Sequence, residues 1–441
     1  TGEALALYGW YTMLVYVASI PGGWIADRLL GQKKSVLIGG LTLCLGHSIL
    51  AVEEMWAFYT GLGLIIAGVG LLKPNISTMV GGLYEAGDSR RDRGFTIFYI
   101  GINIGAFLSS LIVGVVGEVY GWHYGFGLAG IGMAFGQLTY WYGQRYLTHV
   151  GNLVIDERDE SEKTDSNLIF SIFKSNNSLV GFMITFALGM FIWLFNDSLN
   201  YGLLAMGLAF AVGVAIVVYN DGNKIEKDRI LVTYLSFLII IVFWGSFEQA
   251  GGLLNVYAKQ KTDLLIGNFL VPASWFQSVN AIFILIFATI VGSFWVWWRN
   301  RKRESSSLFK MAIGVIIMGW GFFFMSAASM QYEAEGLSSM HWLVLAYLFH
   351  TIGELCASPV ALSFITKLAP DRWMAFMMGA YFAATGLGNK VAGLLGESAT
   401  ELGEFKIFTG IAVFCTIFGL LVLLIIKPLK RLTHKAEESL A

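Results

Sequence analysis

The sequence predicts an all-α membrane protein made of two helical bundles, and three observations carry that prediction. Apolar residues make up 56% of the 441-residue chain and charged residues 13%, with a mean hydropathy of +0.66. A soluble domain carries roughly 25% charged residues. Roughly 13 apolar segments approach the ~20 residues that a helix needs to cross hydrocarbon. The connections between them alternate between basic and non-basic.

The elements follow in order. Residues 1–150 form the first bundle, with apolar segments at about 4–26, 35–52, 55–84, 94–118 and 122–146. Residues 151–222 interrupt the pattern. They open with VIDERDESEKTDSN, the longest charged run, which reads as a solvated linker. Two spans without charge or polar cluster follow, Leu179–Phe195 and Tyr201–Tyr219. They read as an inserted hairpin facing lipid. Residues 223–441 form the second bundle, with segments at about 230–257, 273–298, 308–328, 341–366, 373–396 and 406–426.

Charge sets the expected orientation. Basic clusters occupy one set of connections: Arg28 with Lys33 and Lys34, Arg90 with Arg91 and Arg93, Lys224 with Lys227 and Arg229, Arg299–Arg303, and Lys367 with Arg372. Intervening connections, such as Glu53–Glu54, are acidic or neutral. Positive connections stay cytoplasmic. The tail, with Lys427, Lys430, Arg431 and Lys435, is therefore expected inside, and Thr1 outside. That placement leads us to expect a further span before residue 1.

Several function classes are excluded or weakened. A net charge of −1 gives no footprint for nucleic acid. Cys44, Cys356 and Cys415 all lie in apolar segments, without metal-ligand spacing or a disulfide framework. The six histidines are scattered. His350 shares a helical face with Glu354 and reads either as a cavity residue or, more simply, as a packed one. The glycine-rich GLGLIIAGVG lies within a span, so it reads as close helix packing rather than a dinucleotide loop. No nucleophile, base and orienting group stand out as a catalytic set.

The chemistry concentrates in buried charge. Lys73 is the one charged residue in GLGLIIAGVGLLKPNISTM, and Glu354 the one in WLVLAYLFHTIGELCASPVALSFI. A lysine at mid-span costs about 2.5–3.5 kcal/mol on insertion scales, so such residues mark partners or pathways. One cation and one anion in matching halves suggest a path for a polar, charged solute. Pro74 follows Lys73, and Pro359 follows Ser358, close to Glu354. Both prolines are expected to interrupt their helices, and paired interruptions point to a transporter's binding site. The next span in each half carries an asparagine, Asn103 and Asn389. Tyr16, Glu248, Gln249, Gln277 and Asn280 also interrupt apolar runs. Each amide can line a cavity or simply hold helices together, which is worth about 0.6 kcal/mol on average. Lys390 can face the cavity or snorkel outward.

Specific segments then resemble a known family. GGWIADRLLGQKK is similar to the loop after the second helix of the major facilitator superfamily. GLLKPNISTMVGGLY, DRGFTIFYIGINIGAF, FWGSFEQAG, ASWFQSVN and GELCASPVALSFITKLAP resemble the signature segments of its proton-dependent oligopeptide transporters, the POT family. The resemblance runs over essentially the whole chain. It implies two six-helix bundles plus an inserted two-helix hairpin. The family's first helix, with its E-x-x-E-R motif, is not in this sequence, which begins at what resembles the second helix.

The resemblance also implies the function: proton-coupled import of di- and tripeptides through a bacterial inner membrane, with protons as the coupling ion and no cofactor or metal. A carrier of nitrate or another small anion is the alternative within the family; a channel or a membrane-embedded enzyme fits less well. It implies substrate-binding roles for Tyr16, Lys73, Asn103, Asn280, Glu354, Ser358 and Tyr381. It implies coupling or gating roles for Glu248, Lys73 and Glu354. Lys73 and Glu354 are expected to face one cavity and to approach each other on cytoplasmic closure. The implied partners are a short peptide and the lipid bilayer, with a monomer as the working unit.

Overall fold

A computed structural model describes residues 2–84, 90–153, 183, 212, 215–216, 218–220, 222–370, 374–434 and 436. Every predicted segment outside 178–219 is helical. The inserted pair and the charged linker fall almost wholly outside the described residues. Among the described residues, eight helical stretches are long and apolar enough to cross a membrane.

The first half contains α1 (Gly2–Val17), α2 (Ser19–Ile25), α3 (Gln32–Leu50), α4 (Met55–Gly82), α5 (Arg90–Leu108), α6 (Val115–Tyr120) and α7 (Trp122–Gly143). Two π-helical turns, Ala26–Leu30 and Ser109–Gly114, lie within its spans. The second half contains α8 (Lys224–Phe247), α9 (Leu253–Lys261), α10 (Trp275–Asn300), α11 (Ser307–Glu335), α12 (Met340–Leu368), α13 (Met374–Leu402), α14 (Glu404–Leu424) and α15 (Ile426–Leu432). Two short strand pairs accompany these helices. Thr262–Asp263 runs parallel to Ser338–Ser339, and Leu265–Ile266 pairs antiparallel with Phe269–Leu270.

The chain forms two compact units. One holds residues 1–154, 236–365 and 376–427; the other holds 155–235, 366–375 and 428–441. In the second unit, Asp228 meets His434 at 2.7 Å, and the Arg229 guanidinium donates to the Thr433 carbonyl at 3.2 Å. The remaining description concerns the first unit.

Its surface is apolar where a soluble protein would be polar. Leu41, Leu45, Phe414, Ile417 and Leu421 are each more than half exposed. Exposed hydrocarbon on this scale is the surface that lipid covers. Inside, close helix approach depends on glycine. A Cβ at Gly393 of α13 would stand 2.6 Å from the Gly9 Cα of α1, and one at Gly353 of α12 would stand 2.6 Å from the Gly314 carbonyl oxygen of α11. The first contact sets α1 against α13. The second fixes the turn that carries Glu354.

The expected proline interruptions do not occur. α4 runs unbroken through Pro74, and α12 through Pro359. A proline removes one ladder bond, but the surrounding turns can hold the helix. Beyond Pro74, Ser77 and Thr78 donate to the carbonyls of Lys73 and Pro74 at 3.1 and 2.9 Å. The interruption lies instead between α8 and α9. Glu248–Ala250 is a 3-10 turn, and Gly252 departs from helical backbone with φ −104° and ψ −101°. The Tyr347 hydroxyl donates to the Ala250 carbonyl at 3.3 Å, satisfying an acceptor there.

The two halves meet near one end of α10. The Glu118 carboxylate accepts the Ser274 backbone N–H at 3.0 Å, and the Ser278 hydroxyl donates to the Phe107 carbonyl at 3.2 Å.

Candidate substrate and proton site

Lys73 stands near the middle of α4 and aims its ammonium at Tyr16. The nitrogen lies 3.8 Å from the centre of the phenol ring, on the adjacent first span. A cation over an aromatic face is worth about 0.5–2 kcal/mol, more as water is excluded. The contact holds the charge without neutralising it. Among the described residues, no carboxylate forms an ion pair with Lys73 within 4.0 Å.

Glu354 is 9% exposed on α12. Its Oε2 accepts from the Asn280 amide of α10 at 3.0 Å. The same amide donates to the Thr351 hydroxyl at 3.0 Å, and Thr351 donates onward to the Tyr347 carbonyl at 2.7 Å. Both protons of the amide are therefore used, and its orientation is fixed by two acceptors. The carboxylate is held in place with its remaining acceptor positions available.

Glu248 begins the 3-10 turn between α8 and α9. Its Oε2 accepts from the Tyr8 hydroxyl of α1 at 2.9 Å. The charge of Glu248 acts on Lys73 and on Glu354. Among the described residues, Lys73 makes no ion pair with Glu248 or Glu354 within 4.0 Å.

The other predicted residues divide. Asn103 is buried, but its amide donates to the Tyr99 carbonyl one turn back, at 2.9 Å. Ser358 and Tyr381 line one small void of about 10 Å³ with Phe243 and Trp244. Gln249 bridges helices: its amide donates to the carbonyls of Gly245 and Ala392 at 3.3 and 3.0 Å. Gln277 is exposed. Asn389 is buried, and among the described residues its amide has no partner, so it does not act as a hydrogen-bonded tie. His350 is packed, 4.5 Å from the Phe322 ring, and neither ring nitrogen has a hydrogen-bond partner among the described residues. Lys390 is 3% exposed and lies over the Trp10 ring at 4.4 Å. All three cysteines are free.

Two contributors were missed. Tyr8 lies eight residues before Tyr16, so the two share one flank of α1 at 100° per residue. Thr351 precedes Glu354 by three residues, again on one helical side. Each was a polar group inside an apolar run, which was the available signal.

Solved structures share this fold. A peptide transporter of the POT family in complex with sulfate superposes with a TM-score of 0.83 at 33% identity, covering 98% of this chain and 87% of that one. A POT family transporter in complex with 5-aminolevulinic acid gives 0.81 at 29%, covering 97% and 88%. The fold is that of the major facilitator superfamily, and the chain is a membrane transporter rather than an enzyme. Sequence comparison narrows the class. The model of the POT family matches residues 33–407. An uncharacterised transporter of Bacillus subtilis, YclF, is 37% identical over 98% of this chain and 86% of its own length. A di-/tripeptide transporter of Lactococcus lactis subsp. cremoris is 35% identical over 98% and 87%. A peptide transporter of Yersinia enterocolitica, YePEPT, is 32% identical over 99% and 88%. The chain belongs to the POT family.

Proposed function

We propose that this protein imports di- and tripeptides by alternating access, with protons as the coupling ion, as a monomer in a bacterial inner membrane with its C-terminus in the cytoplasm. The observation that carries the reading is the pair of opposite charges held apart. Lys73 is steadied by Tyr16, and Glu354 by Asn280. A short peptide is a zwitterion with a nearly constant backbone. Its carboxylate is the complement of Lys73, and its ammonium that of Glu354. The di-/tripeptide carriers among the relatives support the same substrate class.

Each site residue takes a part in this reading. Tyr16, Lys73 and Asn103 serve the carboxylate side. Asn280 and Glu354 serve the ammonium. Ser358 and Tyr381 are assigned to the rest of the peptide; the void of about 10 Å³ beside them must widen to admit it. Glu248 carries the coupling proton, because it touches Tyr8 and is coupled electrostatically to both charged ends. A carboxylate is stabilised in its charged form by a cation and destabilised by a like charge. Arrival and departure of peptide therefore change how readily Glu248 holds a proton.

The test is uptake of labelled dialanine into proteoliposomes with and without an inward proton gradient. Accumulation above equilibrium that needs the gradient is expected. Competition by unlabelled tripeptide is expected, and competition by nitrate is not. Uptake indifferent to the gradient, or inhibition by nitrate alone, would overturn the proposal.

A further inference from the structure

The remote end of α10 carries a second recognisable surface. A shallow, open groove runs along this one helix from Thr289, bordered by Gly292, Ser293, Val296, Trp297, Asn300 and Arg301. All six are exposed. Gly292 leaves a notch, since a Cβ there would have no atom within 4 Å.

The groove lies on the side of α10 away from Asn280. At 100° per residue, Val296 stands about 160° around the helix from Asn280. It stands five turns beyond Ser278, which binds the Phe107 carbonyl of α5 at 3.2 Å. The groove therefore continues the α5-facing stripe of α10 toward its basic end. Its length, from Thr289 to Asn300, is about 16 Å, close to one leaflet of a ~30 Å hydrocarbon core.

Charge and aromatic rings mark the end of the groove. Arg299, Arg301, Lys302 and Arg303 follow within five residues. Among the described residues, none of the four forms an ion pair within 4.0 Å. Arg301 lies over the Trp297 ring at 4.3 Å, and Arg303 over the Trp298 ring at 4.6 Å. Tryptophan favours the headgroup level of a bilayer, and arginine suits a phosphate.

From this we infer a binding site for one anionic phospholipid. An acyl chain lies along Gly292, Ser293 and Val296. The phosphodiester sits against Arg301 and Asn300, with Trp297 packed beside the glycerol. A neutral phospholipid fills the same groove but gains less from four cations. Each basic residue near an anionic headgroup is worth about 1 kcal/mol, or roughly fivefold in affinity.

The test uses the full chain in nanodiscs of phosphatidylcholine with a minor fraction of phosphatidylglycerol. Retained lipid is read by native mass spectrometry, which measures binding independently of transport. Enrichment of one phosphatidylglycerol per protein is expected. Arg301→Gln should lower that enrichment about fivefold. Gly292→Leu should lower it as well, by filling the notch without changing charge or meeting a neighbour. Lys34→Gln, in another basic connection, should leave it unchanged. Equal retention by all four proteins would overturn the site. So would loss with Arg301→Gln and none with Gly292→Leu, which would leave a diffuse charge effect without a groove.

Discussion

Asn280→Ala isolates the role of the amide that holds Glu354. The amide contributes one hydrogen bond to an ionisable carboxyl group, at 3.0 Å, and one to the Thr351 hydroxyl, also at 3.0 Å. A hydrogen bond to a charged partner contributes about 1.5–3 kcal/mol. Thr351 loses that donor but keeps its own bond to the Tyr347 carbonyl, so the larger loss falls on the carboxylate. Without the amide, Glu354 must be oriented at the moment an ammonium arrives. Affinity for a free dipeptide should then fall by roughly tenfold to 150-fold, the range that the energy implies. The assay is competition against labelled dialanine in proteoliposomes, using dialanine and its N-acetylated form. The acetylated peptide lacks the ammonium and should lose little. Thermal unfolding of the purified variant checks that the fold survives. Equal weakening of both peptides would refute the argument and leave Asn280 as a packing residue.

Three further outcomes follow from the same geometry. Glu248→Gln should abolish gradient-driven accumulation while leaving counterflow exchange of peptide; unchanged uphill uptake would remove Glu248 from coupling. Tyr8→Phe deletes the 2.9 Å bond to Glu248 and should reduce accumulation more than exchange, in the same pair of assays. Gly393→Leu forces side-chain atoms into the Gly9 backbone and should lower the unfolding midpoint, with a cost of about 1–3 kcal/mol or more; an unchanged midpoint would show that the helices can part without loss.

Much of the fold was legible because a bilayer simplifies the problem. Every backbone group in hydrocarbon must be paired, so long apolar runs have little choice but helix. Lys73, Glu248 and Glu354 were legible for the same reason, as charges where charge is costly. Their partners were not. Nothing in the order of residues says that Asn280 reaches Glu354, 74 positions away, or that Tyr8 reaches Glu248, 240 positions away. Those contacts depend on helix crossings, and the crossings depend on glycine pairs such as Gly9 with Gly393. The prolines misled because proline permits a break without forcing one. Gly251–Gly252 breaks the helix where no proline stands, since two adjacent residues without a Cβ remove much of the helical preference.

The placement of that break bears on how the two carboxylates divide their work. Glu354 sits in the middle of an unbroken helix, one residue after the Gly353–Gly314 crossing, and is tied to α10 through Asn280. Displacing it would disturb α10, α11 and α12 together. Glu248 sits at a 3-10 turn followed by two glycines, and its carboxylate accepts from a tyrosine on a different helix. Irregular turns of this kind absorb backbone change at low cost, and they often serve as hinges. On the transport reading, a fixed carboxylate suits the peptide ammonium, whose position must be reproduced for every substrate. A carboxylate on a hinge suits the proton, which must be taken up under one set of neighbours and released under another. Motion at Gly251–Gly252, on that reading, would alter the distance from Glu248 to Lys73 and to Tyr8 and would leave the Asn280–Glu354 contact intact. Coulomb energy falls with distance and with water entry, so a displacement of a few ångströms changes how strongly Lys73 holds Glu248 in its charged form. Substrate recognition and proton exchange can therefore share one cavity without sharing one residue.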